Sequence, residues 1–258
     1  MNALRRHWDI GLFLLLTSVF VAAPQIDLAF SGLFYRPDSG FFLRDQPWVV
    51  FVHKAIPLVA RWLGAALGSI VLLSLLPRFG LLAGLRLPAL FLLLSFCLGP
   101  GLLVNGVLKE HWGRARPADV QEFGGDKKFT PAFAIADQCR RNCSFVSGHA
   151  AQGFFFALLG FLFRRNNGFV PGLALGGVVC FARIVQGRHF LSDVVFALFA
   201  VYFVGKLLRN LMFDPVAIRP QAGTITLRPG LRKLFRPGGI PRGLAASLAS
   251  GEANQRLR

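Results

Sequence analysis

The sequence predicts an all-α protein, a six-helix transmembrane bundle capped at its outer end by a periplasmic loop and an interfacial helix. Three observations predict it. Of 258 residues, 54% are hydrophobic, 27 are Phe and only 16% are charged, against about 25% charged in an ordinary soluble domain. The mean hydropathy is +0.53. The apolar residues also gather in blocks of membrane-spanning length, where a soluble fold would distribute them at helix or strand period. The formal charge of +17 is compatible with nucleic acid. In so apolar a chain it matches anionic headgroups and the bias that orients spans better. The expected partners are therefore the bilayer and a membrane lipid, with no nucleic acid and no obligatory protein partner.

Taken in order, the blocks lie at 8–24, 57–76, 87–107, 148–163, 169–187 and 190–209. The first follows Arg5 and Arg6 and ends in Val21-Ala22-Ala23, imitating a secretory signal. Pro24 would sit just after the cut, so the block is read as a retained signal anchor. The stretch "QPWVVFVHKAIP" at 46–57 mixes apolar residues with His53 and Lys54, and is expected to lie along the interface before the second span. The fourth and fifth blocks fall short of the usual ~20 residues and should reach into flanking polar sequence or tilt. An even number of spans puts both termini on one side. Arg5, Arg6, Arg78, Arg86, the turn "RRNN" at 164–167, Lys206 and Arg209 share that side, and short basic turns belong in the cytoplasm. Beyond Asp214 the chain turns to Arg, Pro and Gly without periodicity. The division expected is a membrane domain at 1–213, with its polar core at about 105–195, and a basic, disordered cytoplasmic tail at 214–258.

On the opposite side three polar stretches re-enter the membrane: "KEHWGRARP" (109–117), "SGHA" (147–150) and "ARIVQGRHFLSD" (182–193). Lys109, Arg116 and Arg183 are costly at a membrane edge unless they meet an anion or water. Arg matches phosphate oxygens with a planar fork, and Lys adds a point charge. Ser147 and Gly148 open the fourth span, where free N–H groups and the helix dipole favour an anion and glycine permits close approach. His189 and Asp193 are four apart, so on a helix they share a face. The carboxylate would then accept from the imidazole N–H and leave the other nitrogen free to attack. His149 can protonate a departing oxygen and deprotonate an incoming water. Singly, each residue has a plain structural reading: helix cap, interfacial anchor or chance spacing. Together, at three re-entry points of one face, they read as a metal-independent phosphoryl-transfer site needing no cofactor.

The three stretches resemble the motifs KxxxxxxRP, PSGH and SRxxxxxHxxxD of the type 2 phosphatidic acid phosphatase superfamily, across roughly residues 45–210. The resemblance implies that His189 is a nucleophile forming a phosphohistidine, supported by Asp193, and that His149 is the general acid. It implies phosphate binding by Lys109, Arg116, Ser147, Gly148 and Arg183. Val146 stands for the Pro of the second motif and Ala182 for the Ser of the third; the latter removes a hydroxyl from the phosphate contacts. The loop, with "EFGG", "FTPAF" and "NCSFVSGHA", is similar to bacterial lipid A phosphatases, particularly those acting at the 4′ position.

That loop is expected to cap the active site. Lys127, Lys128, Arg140 and Arg141 either engage further anionic groups of a bulky headgroup or are simply solvated. Cys139 and Cys143 lie on the side where disulfides persist and are expected to bond, pinning the loop before Ser144; a metal site is not expected there. Cys97 and Cys180 read as small apolar residues. His7, His53 and His111 take structural readings, and Asn105, one turn before Lys109, is placed near the site. The activity implied is a phosphate monoester hydrolase of the bacterial inner membrane facing the periplasm. Its first-choice substrate is lipid A. The alternatives are phosphatidylglycerol phosphate, undecaprenyl pyrophosphate or lipid-to-lipid phosphotransfer. An anion transporter and a protein acting through its basic tail are rivals from other classes.

Overall fold

The computed structural model describes residues 7–163 and 166–213. Arg5, Arg6, Arg164, Arg165 and the expected tail 214–258 lie outside the described residues. The chain is mostly helical. Helix α1 (Trp8–Ala22) is apolar throughout and meets α2 (Gln25–Gly32) at an angle of 83°. The bend falls at Pro24, which cannot donate the N–H that would continue the first helix. A two-residue antiparallel ladder, Tyr35–Arg36 on Gly40–Phe41, follows α2.

Helix α3 (Pro47–Leu73) corrects the expectation for 46–57. That stretch does not lie apart from the second span but forms its first turns, with Pro47 preorganising the start. Helix α4 (Pro77–His111) changes pitch along its length. It opens as a tight 3₁₀ stretch (Pro77–Leu85), relaxes into α (Arg86–Phe96), widens further into π turns (Cys97–Leu108) and closes with one α turn (Lys109–His111). Pro100, inside the π stretch, lacks an N–H and crowds the preceding turn, and a wider turn relieves both. Then come α5 (Gly148–Leu162), α6 (Asn166–Val185) and α7 (Leu191–Met212).

Among the described residues α3, α4 and α7 are long and apolar enough to cross a membrane. The bent pair α1–α2 qualifies if it forms one span, and α5 and α6 contribute shorter apolar stretches. Helices α5 and α6 approach closely because small residues line the seam: a Cβ on Gly172 would come 2.2 Å from the Ala157 nitrogen, and one on Gly176 2.1 Å from the Phe154 ring. The core between α4, α5 and α7 contains Phe91, Val104, Phe155 and Leu158, all fully buried. Outside, large apolar side chains stand uncovered, Phe51 and Trp62 each 70% exposed and Leu81 85%, as on a surface meant for lipid.

Candidate active site

Four helix ends meet at one end of the bundle. Lys109 is in the last turn of α4, His149 in the first of α5, Arg183 in the last of α6 and Asp193 in the first of α7. The loop between α4 and α5 is tied onto them by backbone hydrogen bonds. Cys143 donates to the Lys109 carbonyl at 3.0 Å, Ser144 to that of Arg114 at 2.9 Å, and Ser147 to that of Asp193 at 3.1 Å.

His189 lies between α6 and α7, ahead of the Phe190 N-cap, so it does not share a helix face with Asp193 as the spacing had suggested. Its Nδ1 is 2.9 Å from the Ser144 carbonyl oxygen and 3.6 Å from Asp193 Oδ2. A carbonyl only accepts, so Nδ1 carries the proton and the ring is oriented by Ser144, with Asp193 behind it. The Nε2 lone pair that remains is buried and has no partner among the described residues. Burial pushes this imidazole down to about 3, against the pull of the Asp193 carboxylate, and the charge of Arg183 adds to the depression. At neutral pH His189 is therefore a free base.

Asp193 is buried and fully engaged. Its Oδ1 accepts from Arg114 at 2.6 Å, and its Oδ2 accepts from the Ser144 hydroxyl at 2.5 Å and the Phe190 N–H at 2.8 Å. Arg114 is the main residue that reading the sequence missed. It is fully buried and spends its donors on the Thr130 carbonyl, the Ser192 hydroxyl, Asp193 and Asp27 (2.9, 2.8, 2.6 and 2.8 Å). Asp27, from α2, also accepts from the Ser192 N–H and hydroxyl. Thus α2, the loop and α7 are joined by one buried guanidinium between two carboxylates, its face lying 4.4 Å from the Phe190 ring centroid.

The expected phosphate-binding cations gather beside the histidines. His149 is within electrostatic reach of Arg183, His189, His53 and Lys109, and Lys109 of Arg116 and Arg183. Lys109 Nζ donates to Asn142 Oδ1 at 2.5 Å, and Arg116 donates to the Asn142 carbonyl at 2.6 Å. Arg183 donates through one terminal nitrogen to Gln186 Oε1 at 2.5 Å and to His53 Nδ1 at 2.8 Å, while its Nε is buried without a partner. His53 had been set aside as interfacial. Because α3 starts at Pro47, the residue instead reaches the site, its ring 4.9 Å from that of His149. His149 Nε2 is likewise buried, with no partner among the described residues. These three polar atoms, on His149, Arg183 and His189, have no partner among the described residues, as expected of a site built to bind an anion.

Ser147 is the N-cap of α5, its hydroxyl oxygen accepting from the Ala150 N–H at 3.3 Å. At Gly148 the close approach involves Asn105, whose Oδ1 would lie 2.4 Å from a Cβ there, while its Nδ2 donates to the Pro100 carbonyl at 2.6 Å. Of the loop cations, Lys127 pairs with Asp126 at 3.0 Å and Arg141 with Glu110 at 3.6 Å; Lys128 and Arg140 are exposed. Cys139 and Cys143 are disulfide-bonded, with Cα atoms 5.6 Å apart. Cys97 is exposed and Cys180 buried. His111 is exposed, its Nδ1 2.9 Å from the Val107 carbonyl oxygen. Among the described residues no three His, Cys, Asp or Glu side chains gather to hold a metal ion.

Residues 88–216 match the PAP2 superfamily model. The chain belongs to that superfamily. It is 37% identical over 204 residues to a lipid A 4'-phosphatase of Francisella tularensis subsp. novicida, covering 75% of this chain and 89% of the relative. It is 34% identical over 227 residues to a lipid A 4'-phosphatase of Rhizobium etli, covering 74% and 83%. A lipid A 4'-phosphatase of Rhizobium leguminosarum is 48% identical over 104 residues, 39% of this PAP2 chain and 45% of the relative. No solved structure matches.

Proposed function

We propose that this PAP2 protein is an integral-membrane lipid phosphatase. It hydrolyses a phosphate monoester of lipid A, at the 4′ position, on the periplasmic face of the bacterial inner membrane. The single observation that carries the reading is the set of buried atoms without a partner among the described residues, His189 Nε2, His149 Nε2 and Arg183 Nε, with Lys109 and Arg116 in electrostatic reach of them. The relatives, lipid A 4'-phosphatases by name, support the choice of substrate.

The chemistry follows from these groups. A phosphate entering between the cations has its charge offset by Lys109, Arg116 and Arg183, and α5 presents its first N–H groups to it. The Nε2 lone pair of His189 attacks phosphorus while the bond to the lipid oxygen breaks. His149 gives its proton to that oxygen, and a phosphohistidine remains. Water then attacks the same phosphorus, His149 takes the water's proton, and the P–N bond breaks to release inorganic phosphate and restore the free imidazole. The Ser144 carbonyl keeps the His189 proton on Nδ1 throughout the first step. Asp193, its own charge held by Arg114, stabilises the ring as it becomes positive.

On this reading α1–α2 counts as one crossing and, with α3 to α7, gives six. Both termini are cytoplasmic, the loop before α5 forms a periplasmic cap, and residues 214–258 are a separate basic cytoplasmic extension. Lys127, Lys128, Arg140 and Arg141 would meet the rest of an anionic headgroup. Mass spectrometry of lipids from cells with and without the protein tests the substrate. Loss of one phosphoryl unit from lipid A is expected, and unchanged lipid A with another phospholipid dephosphorylated would refute the assignment.

A further inference from the structure

Asn142 is an exposed loop residue that no motif singles out, yet it holds both Lys109 and Arg116. Its Oδ1 accepts from Lys109 at 2.5 Å, its carbonyl from Arg116 at 2.6 Å, and its N–H donates to Glu110 Oε1 at 3.3 Å. It does so with φ at +53°, the left-handed conformation that Asn tolerates better than most residues. The Cys139–Cys143 disulfide closes the short ring that carries it.

We propose that Asn142 is a positioning residue for the two phosphate-binding cations, and that the disulfide makes this positioning dependent on oxidation. The proposal rests on the phosphatase reading above. Lysine rides on a flexible stem, and near Arg116 and Arg183 repulsion drives it away from the others. A carboxylate would hold Lys109 but cancel the charge the phosphate needs. A neutral amide holds it and leaves the charge intact. The adjacent residue's carboxylate, Glu110, is instead directed at the Asn142 N–H and Arg141.

The two ends of the ring are anchored differently. Cys143 donates to the Lys109 carbonyl at 3.0 Å and the next residue, Ser144, to that of Arg114 at 2.9 Å, so this end stays on the bundle without the disulfide. Cys139 lies on an exposed stretch, and its covalent link to Cys143 closes the ring. A dithiol reductant, giving two electrons and two protons, converts the pair to thiols and becomes a disulfide itself. The residues 140–142 then gain freedom, and Asn142 releases the cations. Ser144 stays in place, and with it the orientation of His189. Reduction should therefore weaken substrate binding and spare the chemical step.

The test uses the purified full chain in detergent with lipid A, measuring kcat and KM before and after dithiothreitol. Reduction is expected to raise KM about tenfold, the size of one lost hydrogen bond to a charged group, with kcat nearly unchanged. Asn142→Gly retains the left-handed backbone and loses only the side-chain acceptor. It should show a similarly raised KM when oxidised and respond little to reductant. An unchanged KM in the reduced native protein would overturn the proposal, as would an equal further rise in the Asn142→Gly variant, or a collapse of kcat alone. Absence of phosphatase activity in the oxidised protein, or full activity in His189→Gln, would instead overturn the phosphatase reading itself.

Discussion

His189 combines full burial with an unused lone pair, and its pH behaviour follows from that. The unfolded chain protonates such an imidazole near 6.5, the folded one only near 3. Between those values the unfolded state binds more protons, so this residue's contribution to stability is present above pH 6.5 and lost as pH falls towards 3. Unfolding temperatures in detergent should fall over that window in the native protein and fall less in His189→Gln. An equal fall in both would contradict the assignment. Arg114 gives the larger effect. Its removal in Arg114→Ala strands Asp27 and Asp193 as buried unpaired carboxylates, which costs about 3–5 kcal/mol of stability and deprives the His189 ring of an ordered neighbour. Denaturation and lipid phosphatase assays on the same preparation should show both losses. The residues legible beforehand were polar groups at the edges of apolar blocks, where their cost made them conspicuous. Arg114 lay between two such residues at an unremarkable position, and its partner Asp27 is 87 residues away, a pairing that no local pattern encodes. The role of Ser144 rests on a backbone carbonyl, which side-chain identity does not reveal.

At the scale of elements, the seam between α5 and α6 is set by glycines that let two backbones meet. Gly176→Leu would drive a side chain into Phe154, whose ring carbons already lie 2.1 Å from an ideal Cβ. The helices must part, at a cost of about 1–3 kcal/mol or more. Because α5 carries His149 on its first turn, activity should fall together with the unfolding temperature, whereas at Gly177, where a Cβ meets nothing within 4 Å, alanine should be tolerated. The existence of these helices was legible because apolar blocks of spanning length have few other uses. Their irregularities were less so. Pro57 marked a boundary in the sequence, but the helix runs through it from Pro47 to Leu73, since a proline inside a long packed helix costs a hydrogen bond without ending it. That displacement hid His53. The π turns around Pro100, which bring Asn105 against Gly148, likewise answer to packing that only the assembled bundle supplies.

For the whole molecule, a lipid-facing bundle gathers polar chemistry at one end. Helix termini from four segments carry the cations and imidazoles, and a disulfide-closed loop is tied onto them by backbone hydrogen bonds. The buried ion pairs join α2, the loop and α7 beside His189. The central claim is covalent: phosphorus passes from lipid to His189 before it reaches water. Rapid quenching of the purified protein at alkaline pH during turnover of lipid A, followed by peptide mass spectrometry, measures this most directly. The account predicts one phosphoryl group on the peptide containing His189 in the native protein and none in His189→Gln. A phosphoryl group on another residue, or undiminished turnover in His189→Gln, would contradict it.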